Sequence, residues 1–223
     1  MEKKLFFVYN PKAGKGLLKT KLADIVDIFV KAGYETIVYP TQAKGDGYAK
    51  VMEYQASADV VVCSGGDGTL DEVVSGLMAC DSQTPLGYIP AGSTNDFANS
   101  LHIPKDMIKA AEAIVQGEIY RCDVGHFNDD SFVYIAAFGL FTDVAYETNQ
   151  DLKNILGHLA YVLEGVKRLL DIKSYHCEIQ AGDKSLEGDF IYGMITNSRS
   201  VGGFKHLTGK NVDMSDGLFE VAL

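Results

Sequence analysis

Short apolar runs alternate with helical stretches over residues 4–117, and this alternation constrains the fold more than any other feature of the sequence. The spacing predicts strands at residues 4–10, 35–41, 59–66 and 85–92, and helices at 16–33, 47–58, 70–78 and 104–117. The third run, DVVVCSGG, is continuously apolar and β-branched, which is typical of a strand covered on both faces. Repeated β-α units of this length predict an α/β domain with a parallel, doubly wound sheet.

The pattern changes near residue 119. IYRCDVGHF and SFVYIAAFG flank an Asn-Asp-Asp turn, and SYHCEIQA and EGDFIYGMITN flank Gly-Asp-Lys, so two hairpins are predicted. A long amphipathic helix is predicted between them, at residues 151–171. We therefore expect two domains: residues 1–119 form the α/β domain, and 120–223 form a β-rich antiparallel sandwich. Because DGLFEVAL stops within a predicted strand, we expect this sandwich to be incomplete and the natural chain to continue.

Charge and hydropathy exclude several classes of protein. The net charge of −10 argues against general nucleic-acid binding. The apolar runs are far shorter than the roughly 18 residues that indicate a membrane span, and the amino terminus lacks the features of a signal peptide. Four scattered cysteines without a C-x-x-C pair favour reduced thiols. We expect a cytoplasmic protein, and any peripheral contact with a membrane would need a local basic or apolar patch.

Three loops follow three of the four predicted strands of the first half. They are NPKAGKG at residues 10–16, SGGDGT at 64–69 and PAGSTNDFANSL at 90–101. Ligands of open α/β sheets bind at the carboxyl ends of the strands, and small residues there expose backbone N–H groups to phosphate. Lys12 and Lys15 add positive charge to the first loop, although it is not a Walker A sequence.

The second loop places a carboxylate, Asp67, among glycines. An acid there would repel a bare phosphate unless Mg²⁺, a reacting hydroxyl or a lysine compensates it, which favours phosphoryl transfer. The alternative is a tight turn in which Asp67 caps the following helix. The third loop is open to the same two interpretations, because Ser93, Thr94 and Asp96 could bind a ligand or simply begin a helix.

NPKAGKG, GGDGTLDEVV and PAGSTNDFA, in this order, resemble the diacylglycerol kinase catalytic domain, most closely the soluble bacterial lipid kinases. RCDVG at 121–125, NSRSVGGF and DMSDGLFEV extend the resemblance over essentially the whole chain. It implies transfer of the γ-phosphate of ATP, with Mg²⁺, to diacylglycerol or a related lipid alcohol at a membrane surface. The acidic network would be Asp67, Asp96 and Asp123, with Lys15 near the phosphates. The nucleotide site would comprise Asn10, Pro11, Lys12, Ala13, Gly14, Thr41, Gly66, Asp67, Gly68, Thr69, Leu70, Asp71, Glu72, Ser93 and Thr94.

The resemblance also implies a structural Mg²⁺ site in DMSDGL, formed by the carboxylate of Asp216 and the backbone carbonyls of Asp213 and Leu218. An Asp-Gly turn before a strand explains the same residues without a metal. Two departures stand out: Asp71 occupies a position where the family usually has Asn, and the family's proposed general base would lie beyond Leu223. Two alternatives therefore stay open, an NAD kinase-like enzyme and a catalytically inactive nucleotide-binding module. A homodimer is a further expectation.

Overall fold

The computed structural model describes residues 3–14, 16–128, 130–139, 173–205, 209 and 212–223. Lys15 and the predicted helix at 151–171 lie outside these residues. In the first half, strands and helices alternate as β1 (Lys3–Tyr9), α1 (Leu18–Lys31), β2 (Tyr34–Pro40), α2 (Asp46–Tyr54), β3 (Val60–Gly65), α3 (Asp67–Ala79), β4 (Leu86–Pro90), α4 (Asp96–Ser100) and α5 (Met107–Gln116). A single 3₁₀ turn, Gln55–Ser57, follows α2.

The first four strands form one parallel sheet in the order β2-β1-β3-β4. Phe7 of β1, for example, is in register with Val38 of β2 and with Val62 of β3. The carboxyl ends of all four strands therefore lie along one edge, where the three loops begin. The predicted α/β domain with a parallel sheet is confirmed.

Helices cover both faces of this sheet. Phe6 and Val8 of β1 pack with Val51 of α2 and Val73 of α3 on one face. Leu5, Phe7 and Tyr9 point to the other face, where they pack with residues of α1 and α5 such as Phe29 and Ala111. Burying apolar side chains on both faces explains why β3 is continuously apolar, with Val61, Val62 and Cys63 fully buried.

The rest of the described chain contains short antiparallel strand pairs. Hairpins form between β5 (Gly125–Phe127) and β6 (Asp130–Phe132), between β8 (Tyr175–Ala181) and β9 (Lys184–Phe190), and between β11 (Ser200–Val201) and β12 (Phe204–Lys205). The remaining strands form a three-stranded sheet in the order β13-β10-β7, from β7 (Ile135–Gly139), β10 (Tyr192–Thr196) and β13 (Glu220–Ala222). The predicted antiparallel, strand-rich second half is confirmed.

The predicted second hairpin differs in one respect. The stretch EGDFIYGMITN was expected to form a single strand, but the structure divides it at Ile191 into β9 and β10. The two strands have different partners, because β9 pairs with β8 whereas β10 pairs with β7 and β13. Likewise, of IYRCDVGHF, the structure assigns residues 125–127 to a strand.

The chain forms two compact units, Met1–Tyr134 with Asn197–Leu218, and Ile135–Thr196 with Phe219–Leu223. All the described residues of the candidate site lie in the first unit. The division into domains at residues 119 and 120 stays a prediction. Within the described part of the chain, no helix has the length and apolar character needed to cross a membrane.

Candidate active site

Asn10 joins the first two loops. Its backbone N–H donates to the carbonyl of Ser64 at 2.9 Å, and its side-chain Nδ2 donates to Oγ1 of Thr69 at 3.4 Å. Its Oδ1 accepts from the N–H of Lys12 at 2.9 Å, which fixes the turn that begins the first loop. The Asn10 side chain, directly after β1, thus fixes the conformation of the first loop and holds this loop close to the start of α3.

Glycines let the three loops pack closely. A Cβ on Gly14, which has φ of 55°, would lie 2.5 Å from the carbonyl oxygen of Ala91 in the third loop. A Cβ on Gly92 would lie 2.5 Å from Cα of Gly66. Gly68 differs, because a Cβ there would meet no atom within 4 Å. Some of the loop glycines therefore serve contacts between loops, while Gly68 leaves backbone open to a ligand.

Asp67 begins α3 but does not cap that helix; Gly66 is the N-cap residue and makes no side-chain capping bond. The Asp67 carboxylate instead accepts the backbone N–H groups of Asp96 at 3.1 Å and Phe97 at 3.2 Å, the first two residues of α4. Burial raises the pKa of this carboxyl, and the two N–H donors oppose that rise. Asp67 therefore caps a helix, but the helix is α4 in the third loop and not α3, which the alternative interpretation of the sequence predicted.

Asp96 is fully buried, and its carboxylate is held by donors from distant parts of the chain. It accepts from the hydroxyl of Ser200 at 2.5 Å, from the hydroxyl of Tyr134 at 3.0 Å and from the N–H of Gly203 at 3.1 Å. Burial and the neighbouring Asp96 charge raise the pKa of Tyr134, which keeps that hydroxyl protonated as a donor. These three partners were not identified from the sequence, and nothing in the local pattern around them indicates the contact.

Asp123 is bonded to the DMSDGL segment. Its Oδ2 accepts from the N–H of Gly217 at 2.7 Å, and its own N–H donates to the carbonyl of Met214 at 2.8 Å. The DMSDGL segment turns at Gly217, which has φ of 76°. The structure thus links Asp67 with Asp96, and Asp123 with the predicted metal segment.

The donor set in this segment fits a hard cation. Asp213 and Asp216 are both exposed; Oδ1 of Asp213 accepts from Ser215, and Oδ1 of Asp216 accepts from the N–H of Leu218 at 3.0 Å. Carboxylate and carbonyl oxygens are ligands that Mg²⁺ prefers. No cluster of three or more His, Cys, Asp or Glu side chains suited to a metal occurs within the described residues. The predicted set needs one carboxylate and two backbone carbonyls, so it stays a prediction.

The last residues of GGDGTLDE differ in their surroundings. Leu70 is fully buried in the core, so only its backbone could face a ligand. Asp71 accepts the N–H of Val133 at 3.2 Å, and burial, with the charges of Asp67 and Asp130, raises the pKa of Asp71 to about 7. Glu72 accepts from two backbone N–H groups, those of Gly45 at 3.0 Å and Gly47 at 3.2 Å.

In the third loop, Ser93 is exposed and Thr94 is half-buried. Asn95, which has φ of 53°, holds the loop, because its Oδ1 accepts from the N–H of Gly92 at 2.8 Å and its Nδ2 donates to the carbonyl of the same residue. Asn adopts this left-handed conformation more readily than most residues, which is the sequence signal for its role.

Thr41 follows the end of β2. It donates its N–H to the carbonyl of Tyr9 at 2.8 Å and so lies beside Asn10.

Comparison with known proteins places this geometry in a family. Residues 4–127 match the family model of the diacylglycerol kinase catalytic domain. The chain belongs to this family. It is 36% identical over 223 residues to a diacylglycerol kinase of Bacillus subtilis (strain 168), covering 99% of this chain and 73% of the relative. A diacylglycerol kinase of Staphylococcus saprophyticus (strain ATCC 15305) is 35% identical over 224 residues, covering 100% of this chain and 73% of the relative.

Solved structures support the same family. The chain matches the crystal structure of a diacylglycerol kinase from Bacillus anthracis (strain Sterne) with a TM-score of 0.78 and 28% identity, over 99% of this chain and 72% of that one. The resemblance inferred from the three loop motifs is therefore confirmed, and the protein is an enzyme of the kinase class. The roles of the individual site residues stay predictions.

Proposed function

We propose that this family member is an ATP-dependent lipid kinase that transfers the γ-phosphate to the hydroxyl of diacylglycerol or a related lipid alcohol. The observation that carries the proposal is the close packing of three small-residue loops at the carboxyl ends of β1, β3 and β4, with the half-buried acid Asp67 joining the second loop to the third. The relatives named diacylglycerol kinase support the lipid acceptor.

The loops supply what a triphosphate needs. The N-terminus of α3 carries partial positive charge, and Gly68 in its first turn stands next to open space. Exposed Lys12 and Ser93 border the same edge of the sheet, where cationic and hydroxyl groups favour phosphate oxygens. Asn10 and the Asp67 carboxylate hold the loops in place before ATP arrives, so little reorganisation is needed on binding.

In the reaction, the lipid oxygen forms a bond to the γ-phosphorus, the bond to the bridging oxygen of ADP breaks, and the hydroxyl loses its proton to a base. Mg²⁺, when bound, would neutralise charge on the transferring phosphoryl group. The residues of the chain orient the reactants: Asp67 stands at the junction of α3 and α4, where its charge is available to a cation or to the reacting hydroxyl. In the DMSDGL segment, Asp216 and the carbonyls of Asp213 and Leu218 would hold a second, structural ion.

Phosphate transfer can be measured with ATP labelled at the γ-position and diacylglycerol in mixed micelles. Labelled phospholipid, formed only with Mg²⁺, is the expected product. Labelled NADP, formed when NAD replaces the lipid, would assign the protein to the NAD kinase alternative. Binding of ATP·Mg²⁺ by calorimetry without transfer to either acceptor would support an inactive nucleotide-binding module.

Membrane contact and oligomeric state are separate parts of the proposal. A lipid substrate requires the protein to reach a membrane surface from the cytoplasm, and with a net charge of −10 it has no long-range attraction to anionic lipid. We expect weak co-sedimentation with vesicles that strengthens when diacylglycerol is included. Light scattering on the purified protein would distinguish a homodimer from a monomer.

A further inference from the structure

Glu72 uses both carboxylate oxygens to hold the turn between β2 and α2. Oε1 accepts the N–H of Gly45 and Oε2 accepts the N–H of Gly47, which are the N-cap and the second residue of α2. Gly45, with φ of 87°, has no side chain with which to cap the helix. The unsatisfied N–H groups at this end of α2 are therefore capped by an acid from another helix, where the helix dipole also favours a negative charge.

The packing around Gly47 allows the Glu72 carboxylate to approach. Gly47 is buried, and a Cβ there would lie 3.0 Å from Oε2 of Glu72, so a small residue is needed for the carboxylate to approach. From the other side, Oδ2 of Asp46 accepts the N–H groups of Gln42 and Ala43 at 2.6 Å and 3.3 Å. The turn from Gln42 to Gly47 is thus fixed at both ends, by Asp46 internally and by Glu72 from α3.

This turn follows directly after Thr41 and connects two parts of the proposed nucleotide site. Thr41 is bonded to Tyr9, next to Asn10, and Asn10 reaches Thr69 on α3. Glu72 lies one turn further along α3, on the same helix as Asp67. The β2–α2 turn is therefore connected to α3 in two ways. Glu72 bonds to it directly, and Thr41 connects it through Tyr9 and Asn10 to Thr69.

We propose that Glu72 is a positioning residue, which sets Thr41 and the β2–α2 turn for the nucleotide without contacting the nucleotide itself. The inference rests on the proposed function, because it assigns the turn to the ATP site. The two hydrogen bonds to backbone N–H groups are charge-assisted, so Glu72 favours one conformation of the turn before ATP binds. Without the carboxylate, ATP binding would have to supply the ordering of the turn.

The matched control is Asp106. Its Oδ1 accepts the N–H groups of Ile108 and Lys109, both at 3.0 Å, at the start of α5, which packs on the other face of the sheet. Glu72→Ala and Asp106→Ala each remove one carboxylate that caps two backbone N–H groups. Both should lower the midpoint of thermal unfolding by a similar amount, about 2–4 °C.

Two measurements separate the variants. By calorimetry, the Kd for ATP·Mg²⁺ should rise about tenfold in Glu72→Ala, corresponding to about 1.4 kcal/mol, and stay at the wild-type value in Asp106→Ala. In the ligand-free protein, amide hydrogen exchange should accelerate at residues 42–47 in Glu72→Ala alone. If transfer activity is measured, KM for ATP should rise more than kcat falls.

The outcomes distinguish this inference from the proposed function. Equal Kd values in the wild type and Glu72→Ala would overturn the role of Glu72 and leave the kinase assignment standing. A raised Kd with unchanged exchange at residues 42–47 would overturn positioning in favour of direct contact. Failure of the wild type to bind ATP would overturn the proposed function, and with it the role of this turn.

Discussion

Replacing Asp71 with Asn should stabilise the protein in a way that depends on pH. Asp71 is half-buried on α3, where partial burial and the nearby charges of Asp67 and Asp130 raise its pKa to about 7, although it accepts the N–H of Val133. In the unfolded chain the same carboxyl has a pKa of about 3.9. Between these values the folded protein keeps a proton that the unfolded chain has released, so the free energy of unfolding falls as pH rises.

The magnitude follows from the separation of the two pKa values. One pKa unit corresponds to about 1.4 kcal/mol, so three units set an upper bound of about 4 kcal/mol. Asn keeps the acceptor for Val133 but cannot ionise, and partial solvation of the site reduces the effect. We expect Asp71→Asn to be more stable than the wild type by about 1–3 kcal/mol at pH 8, with the difference shrinking towards pH 5.

Urea unfolding followed by circular dichroism at several pH values between 5 and 8 measures this difference. ATP and Mg²⁺ are left out, so that ligand binding does not contribute to stability. Asp24→Asn, which removes one exposed carboxylate from α1, controls for the change in net charge. A stability difference between wild type and Asp71→Asn that is constant with pH, or that grows towards pH 5, would refute the reasoning.

Two other predictions concern the loops and the metal. Gly14→Ala should lower the free energy of unfolding by about 1–3 kcal/mol, because Gly14 has a left-handed φ of 55° and a Cβ would lie 2.5 Å from the carbonyl oxygen of Ala91. An unchanged midpoint of urea unfolding would contradict this prediction and show that the first and third loops separate easily. Excess Mg²⁺ should raise the thermal midpoint of the wild type by several degrees relative to EDTA, since a ligand at 100 times its Kd stabilises by about 2.7 kcal/mol. Asp216→Ala should show almost no such rise, and an equal rise in both proteins would remove the DMSDGL segment as a metal site.

Much of the first half could be predicted because its determinants are local. β3 was recognisable from its unbroken apolar run, and α3 from the periodicity after Leu70, although the helix begins earlier, at Asp67. The three loop motifs alone indicate the family. The structure adds the parallel sheet and the positions of the loops at the ends of its strands.

The remaining features depend on residues far apart in sequence. Asp96 is held by Ser200 and Gly203, more than 100 positions away, and no local pattern encodes such a pairing. That Glu72 lines the nucleotide site stays a prediction; its bonds to the N–H groups of Gly45 and Gly47, 27 and 25 positions away, have no local sequence signal. β9 and β10 were predicted as one strand because their sequence is continuous, whereas each has its own partner strands.

The most direct test of the account is the initial rate at which the wild type and Asp67→Asn transfer labelled phosphate from ATP to diacylglycerol. Asn keeps an acceptor oxygen for one of the two N–H groups at the start of α4 and removes the charge. The fold should persist, as circular dichroism would verify. We predict Mg²⁺-dependent formation of labelled phospholipid by the wild type and a rate lower by roughly 10² or more in the variant. Transfer at the wild-type rate by Asp67→Asn, or no transfer to lipid by a wild type that binds ATP, would contradict the account.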